Sequence, residues 1–232
     1  MDDAVAGVRA AYFVYPIESG LIDATCIFAQ AATEAGVEAV VNMSQISARR
    51  EAKSNAAREH WLAERLLDWS PVPAVHLRPT FFAEWLTIFA GPVAQTDTLR
   101  LPMGDGRHAP ITSGDQAQVI AAILADPQPH LGKTYPLYGP TEMNHSEIAQ
   151  VMSEVLGRTI TYDPIDDEEF VRILEKRGRS AHRVQHLRNV IVDYRNGVFA
   201  GTNDIVERIG KKAPTTVAQY IEQHRESFMP RR

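Results

Sequence analysis

A single cysteine, Cys26, stands in 232 residues, so the chain has no intrachain disulfide and must hold its fold by burial and hydrogen bonding. Cys26 falls between Thr25 and Ile27 in what reads as an apolar helix face. Nothing local supplies the electropositive, exposed setting of a reactive thiol, so a packed core thiol is expected. No stretch approaches the ~18 apolar residues of a membrane span, and the N-terminus MDDAVAGVRAAYFVYP has no basic leader ahead of a long apolar region. The expectation is a cytoplasmic protein without a membrane partner. Lysine and arginine form no long cluster and the net charge of −5 is spread along the chain, which argues against nucleic acid as a partner.

Catalytic signatures are scarce as well. No G-x-S-x-G is present, which argues against a hydrolase of the α/β type. The only pairs with a metal-ligand look are His145 with Glu147 and His182 with His186. The second pair has helical spacing but no Glu in an H-E-x-x-H arrangement, and both pairs stand among charged residues, so a solvated face and no metal site are expected. The glycine-rich turn that cradles a dinucleotide pyrophosphate is also missing. Gly7 stands alone, and the GDG at Gly104 to Gly106 follows no strand that leads into a helix, so it reads as a turn.

What is present is a composition that can bury a sizeable core, 44% hydrophobic and 23% charged, as one large domain or a domain plus a lobe. Val8 to Tyr15 is a short run of β-branched and aromatic residues closed by Pro16, and reads as a buried parallel strand. Leu21 to Ala35 has apolar residues at helical spacing and ends on Gly36, suited to a left-handed helix cap. Val37 to Met43 reads as a second strand. Ser54 to Trp69 carries Trp61, Leu62, Leu66 and Leu67 at amphipathic-helix spacing, and Ala74 to Leu77 makes a third strand. This alternation implies right-handed crossovers and a parallel sheet, half of a doubly wound α/β fold.

Gly91 to Pro110 reads as loop with one short strand near Thr98 to Leu101. Gly114 to Ala125 is a helix, Lys133 to Leu137 a strand, and Asn144 to Leu156 a helix capped by Gly157. Beyond Asp163 the chain turns more charged and helical. Asp166 to Arg177 and Val217 to Phe228 are the clearer helices, with an uncertain connection from Asp193 to Asp204.

Taken in order, AYFVYP, AATEAGVEAVVNMS, HWLAERLL, HLRPTFFAEWL, APITSGDQAQVIAAILADP, GKTYPLYGP and EIAQVMSEVLGRTITY resemble the successive signature stretches of the NmrA-like family. That family belongs to the atypical short-chain dehydrogenases/reductases. The closing GKKAPTTVAQYIEQHRESF resembles the family's final helix, and LRPTFFAEW is the most specific piece. The resemblance implies a Rossmann-type, doubly wound parallel sheet with a small C-terminal α+β lobe. It also implies binding of NAD(P), either for hydride transfer to a quinone-like or other small electrophilic acceptor or for sensing the cofactor pool; the missing glycine-rich turn leaves an inactive fragment as the third alternative.

The first strand found here resembles the family's fourth. Three strands and two helices, roughly 50 to 70 residues with their turns, are thus expected to be lacking, and with them the phosphate cradle. Either the natural start lies upstream, or the truncation is genuine and a second copy, another partner or altered packing covers the apolar edge that Val8 to Tyr15 would present. The acidic start, Met1 to Asp3, is compatible with the end of a helix. Residues 1–110 are expected to form the truncated Rossmann-like core, and residues 111–232 the remaining sheet elements and the substrate lobe, interleaved with it.

The site residues follow from the same resemblance. Short-chain dehydrogenases use a Tyr with a Lys four residues later, and at the matching place stand His60 and Glu64. His60 would exchange a proton near neutral pH with Glu64 orienting it, and the resemblance places it near the nicotinamide of the cofactor; the alternative is an ordinary surface or semi-buried His and Glu on a helix. Ser44 lies where the family has its serine and would hydrogen-bond a substrate carbonyl or the cofactor. Pro79, Thr80, Phe81 and Phe82 resemble the loop over the nicotinamide ribose, with backbone contacts from Thr80 and Phe81; Phe81 and Phe82 read equally as core between sheet and lobe. Tyr15 and Pro16 resemble the segment beside the adenosine. Glu84 and Trp85 would line a substrate pocket, with a structural Trp as the alternative.

Overall fold

A computed structural model describes residues 2–230. A short α1 (Asp2–Val5) leads into strict alternation: β1 (Ala10–Phe13), α2 (Leu21–Glu34), β2 (Ala39–Met43), α3 (Asn55–Trp69) and β3 (Ala74–Pro79). The middle of the chain carries α4 (Glu84–Ile88), α5 (Ala90–Thr96), β4 (Thr98–Leu101), β5 (Arg107–His108), α6 (Ser113–Ala125) and β6 (Thr134–Leu137). The remainder is β7 (Met143–Asn144), α7 (His145–Leu156), β8 (Thr161–Pro164), α8 (Asp167–Lys176), α9 (Ala181–Arg195), α10 (Ile205–Gly210) and α11 (Val217–Gln223).

β1, β2, β3 and β6 form one sheet in that order, all parallel. β2 shows why the sheet has two covered faces. Its Val40 and Val41 are both fully buried, and successive side chains on a strand point to opposite faces. Val40 packs with Phe13, Phe28, Ala63 and Leu67 beneath α2 and α3, whereas Val41 packs with Val75, Val119, Ile123 and Ile209 beneath α6 and α10. β1 forms an edge of the sheet, where Tyr12 and the nearby Val14 are exposed.

Local signals place these helices. Gly36, at φ +70°, ends α2 in a Schellman turn, with Gly36 N–H donating to Thr33 O and Val37 N–H to Ala32 O. Ser54 caps α3 by accepting from Ala57 N–H, and Asn144 with Glu147 forms a capping box on α7.

The chain departs from expectation in five places. The stretch read as loop, Gly91 to Pro110, holds α5 as well as β4 and β5. Pro92 sits in the first turn of α5, where its missing N–H leaves no hydrogen bond unmade, and Asp97 closes the helix in the left-handed region. β4 pairs with β8 and β5 with β7, long-range partners that no local pattern discloses. α9 went unread because charges interrupt it, yet Leu187, Val190, Ile191 and Tyr194 form a continuous buried face. The last helix stops at Gln223 and continues as a 3-10 turn over Arg225–Phe228. Cys26 is exposed: Leu21, Thr25, Phe28, Ala29 and Ala32 take the buried face of α2, leaving Cys26 on the outer one. His145 and His186 are buried and His182 partly so, because α7 and α9 turn those positions inward rather than to solvent.

The lobe has its own core, with Phe89, Leu99, Met152, Phe170, Ile191, Tyr194 and Phe228 gathered around Phe81 from the segment after β3. Among the described residues no helix is long and apolar enough to cross a membrane.

Candidate functional site

Between the carboxyl ends of β1 to β3 and the lobe lies a cavity of about 690 Å³, the position where open α/β sheets bind ligands. Tyr15, Pro16, Ser44, His60, Pro79, Thr80, Phe81, Phe82 and Trp85 all line it. Residues far apart in sequence thus converge because each follows, or flanks, a parallel strand that ends at the same edge of the sheet.

Three of the lining side chains present buried polar atoms with no hydrogen-bond partner among the described residues: Ser44 Oγ, Gln45 Nε2 and His60 Nδ1. Each such group left unpaired costs about 1–3 kcal/mol, so three on one cavity mark a place shaped for a polar ligand. Ser44 and Gln45 are held by an extension of the β2–β3 ladder, with Ser44 N–H donating to Leu77 O at 2.8 Å and Ile46 N–H to Pro79 O at 3.0 Å. No sequence motif marks Gln45, although it follows Ser44 directly.

His60 faces the cavity from α3. Burial pushes its imidazole down to about 4, with the Glu64 charge offsetting part of that, so the ring is neutral near pH 7 and acts as a hydrogen-bonding group rather than a charged acid. Glu64 does not orient it. Both Glu64 oxygens, fully buried, accept from the Arg78 guanidinium at 2.8 and 2.5 Å, and that pairing holds Arg78 above its ordinary range. His186 enters the same cavity from α9, with Nδ1 2.8 Å from Ser54 Oγ. Burial, then the neighbouring His60, His182 and Arg183, push His186 down to about 3.

Two expected contacts are corrected. The Thr80 N–H donates to Leu137 O and its hydroxyl to Phe199 O, so both of its donors serve the fold rather than a cofactor. Glu84 is not among the residues lining the cavity; its Oε1 accepts from the N–H and hydroxyl of Ser113 at 2.8 and 2.5 Å, bracing the start of α6. Phe81 and Phe82 satisfy both readings at once: each packs against a core cluster and lines the cavity. Trp85 likewise does both, stacking on Phe89 at 5.4 Å with the rings 5° from parallel. Arg177, Arg179 and Arg183 complete the lobe wall; they follow from the α8–α9 hairpin, which the sequence pattern did not reveal.

Relatives share this architecture. The NAD(P)H azoreductase of Xenophilus azovorans is 24% identical over 227 residues, covering 97% of this chain and 78% of that protein. The NADPH-dependent quinone oxidoreductase of Escherichia coli, solved with NADPH, superposes with a TM-score of 0.85 at 22% identity, covering 96% of this chain and 78% of that one. A nucleoside-diphosphate-sugar epimerase of Staphylococcus aureus gives 0.84 at 21% identity, covering 95% and 78%. With a match to the family profile over residues 1–221, the chain belongs to the NmrA-like family.

Proposed function

We propose that the protein is a cytoplasmic NAD(P)-dependent oxidoreductase that reduces a quinone-like or other small electrophilic acceptor in the cleft between sheet and lobe. The observation that carries this reading is the set of unpaired atoms Ser44 Oγ, Gln45 Nε2 and His60 Nδ1 on one largely apolar cavity. A hydroxyl, an amide N–H and an imidazole nitrogen together suit the carboxamide of a nicotinamide and the oxygen of an acceptor beside it. The names of relatives that use NAD(P)H on azo and quinone acceptors support the same choice. The fit is confined to the nicotinamide half, since the sequence given contains no glycine-rich turn for the pyrophosphate.

When bound, the dinucleotide supplies the hydride, two electrons in one transfer. The residues of this chain supply position and exclusion. Ser44 and Gln45 would hold the carboxamide, Tyr15 and Pro16 would border the adenosine side, and Pro79 to Phe82 would close over the ribose. Phe81, Trp85 and Phe199 exclude water from the acceptor. Neutral His60 would hydrogen-bond the acceptor oxygen as negative charge builds there, and solvent supplies the proton that completes the reduction. No Tyr–Lys pair is required, because a quinone accepts hydride without a phenolic acid.

A sensing role is favoured by one observation: Glu64, at the position four residues after His60, is consumed by Arg78, so the catalytic pair of the wider group has no counterpart there. Titration of the purified chain with NADPH and NADH, followed by quinone-dependent oxidation of the bound form, separates the two. Binding with turnover is expected. Binding without turnover would favour the sensor, and failure to bind either cofactor would overturn both.

A further inference from the structure

We propose that the lobe side of the cleft is an anion site, and that it selects acceptors in which a planar aromatic ring carries a sulfonate or carboxylate held by Arg177 and Arg179. The identification of the ligand as the substrate rests on the reductase reading above.

Charge is the first support. Arg177, Arg179 and Arg183 line the cavity, and no carboxylate is among its lining residues. Arg183 is partly neutralised, its guanidinium 3.2 Å from Glu18 and bonded to Ile17 O. Arg177 instead places its guanidinium carbon 4.4 Å from the centre of the Phe89 ring and donates to Ile88 O. Among the described residues neither Arg177 nor Arg179 has an ion-pair partner. Other arginines of the lobe do, although Arg172 of α8 does not: Arg100 meets Asp163, Arg107 meets Glu147, Arg158 meets Asp97 and Arg195 meets Asp167. The C-terminal end of α8 favours a nearby cation, but that preference does not account for three guanidinium groups converging on one cavity.

Shape is the second. Gly178, at φ +66°, lets the chain reverse after α8, with Gly178 N–H donating to Glu175 O and Arg179 N–H to Leu174 O. The turn thereby sets Arg177 and Arg179 on either side of a single glycine at the cavity wall. The wall beneath is aromatic: Phe89 stacks on Trp85, and Phe81 meets Trp85 edge-on at 5.6 Å. A flat ring lying on such a wall gains dispersion and buried area. An oxyanion on that ring would reach a guanidinium whose planar fork suits sulfonate and carboxylate oxygens.

A phosphate of the cofactor carries the same chemistry, so the test must separate the two sources. Calorimetric titration of the full chain with naphthalene-2-sulfonate and with its neutral analogue naphthalene-2-sulfonamide reads the site without turnover. The sulfonate is expected to bind about tenfold tighter than the sulfonamide, with the advantage shrinking in high salt. R177Q/R179Q should erase the preference while changing NADPH affinity less than about twofold, as expected for groups that make no cofactor contact. R179Q alone, on an exposed side chain with no ion-pair partner to lose, should move the preference in the same direction if the double variant does not fold. Equal affinity for the two naphthalenes in the unmodified chain, or no binding of the sulfonate, overturns the proposal. So does a parallel loss of NADPH and sulfonate affinity in the variant, which would assign the arginines to the cofactor. If the sulfonate preference holds while no quinone is reduced, the anion site stands and the reductase reading alone fails.

Discussion

His108 and His145 lie with ring centres 5.6 Å apart and planes within 20° of parallel, and both reach the same hydroxyl, that of Tyr194, through Nδ1 at 2.8 and 3.3 Å. One hydroxyl carries one proton. It can donate to one ring only, so the other ring must donate to it, and the two histidines therefore hold complementary tautomers. The trio ties β5, α7 and α9 together inside the lobe.

This arrangement predicts acid lability. Burial pushes His145 down to about 3 and holds His108 well below its ordinary value, with the His145 charge adding to the effect. His186 and His60 are lowered to about 3 and about 4. In each case the folded value lies below the unfolded one, so the unfolded chain binds more protons and stability is lost as pH falls below about 6.5. A histidine lowered to about 3 contributes a loss of roughly 2 kcal/mol between neutrality and pH 5. Urea midpoints should drop steeply over that interval. A midpoint that stays level from pH 7 to pH 5 would show that these rings are not held neutral.

Tyr194→Phe isolates the hydroxyl from the ring. The aromatic contacts with Phe81 and Phe199 survive, while two buried nitrogens lose their shared partner, at a cost of about 1–3 kcal/mol. Denaturant unfolding at pH 7 reads this loss directly. A variant as stable as the parent would mean that water replaces the hydroxyl without penalty.

Glu64 and Arg78 form the second buried polar unit, and they illustrate what was legible in the sequence. The alternation of strands and helices through Leu77 was readable, because β-branched runs such as Ala39–Met43 and amphipathic spacing such as Asn55–Trp69 are local signals. So was the approach of Ser44 to Pro79–Phe82, since strand ends in a parallel sheet share one edge, whereas Tyr15 and His60 were placed there by the family resemblance. The partner of Glu64 was not readable. A four-residue spacing on a helix suggested His60, but Arg78, on the adjacent strand, takes both carboxylate oxygens. The lobe was less legible for the same reason: β4 pairs with β8 some sixty residues away, and α9 hides its buried face among charges.

Breaking that ion pair from one side should be costly. Arg78→Ala leaves the fully buried Glu64 carboxylate without its two hydrogen bonds and with only the more distant Arg65, at 3.8 Å, as a cation partner, a change worth about 3 kcal/mol, whereas the double variant R78M/E64L removes both charges and should recover most of the loss. Thermal unfolding of the single and double variants checks the sign. If R78A is as stable as the parent, the pair contributes nothing to the fold.

Gly139 marks a close approach of two backbones. A Cβ there would come within 1.8 Å of Pro110 O, and the Gly139 N–H already donates to Ala109 O at 2.9 Å. Backbone cannot yield as a flexible side chain can, so Gly139→Ala should separate the segment after β6 from the segment before α6, with a destabilisation above about 3 kcal/mol. Soluble expression and thermal midpoint report it. Because Ile111 and Leu137 pack in the core cluster that also includes Val41, the same variant should loosen the floor beneath the cleft.

The protonation state of His60 separates two chemistries that use the same atoms. Were its imidazole a general acid with an ordinary value, kcat/KM for quinone reduction would fall as pH rises through about 6.5, following loss of the imidazolium. Lowered by burial to about 4, the ring is neutral across that range and can only hydrogen-bond, so the His60 contribution should leave the profile flat from about pH 5.5 to 8. Below this range protonation should depress the rate, as a buried cation forms beside His186 with its desolvation only partly offset by the Glu64 charge. His60→Phe keeps the ring volume and removes the hydrogen bond, and should lower kcat/KM about tenfold, the worth of one hydrogen bond near 1.4 kcal/mol. His60→Gln, which restores a polar group in a different place, should recover part of it. A profile that declines between pH 6 and 7 in the parent and loses that decline in His60→Phe would establish an imidazolium acid and overturn the neutral-ring assignment.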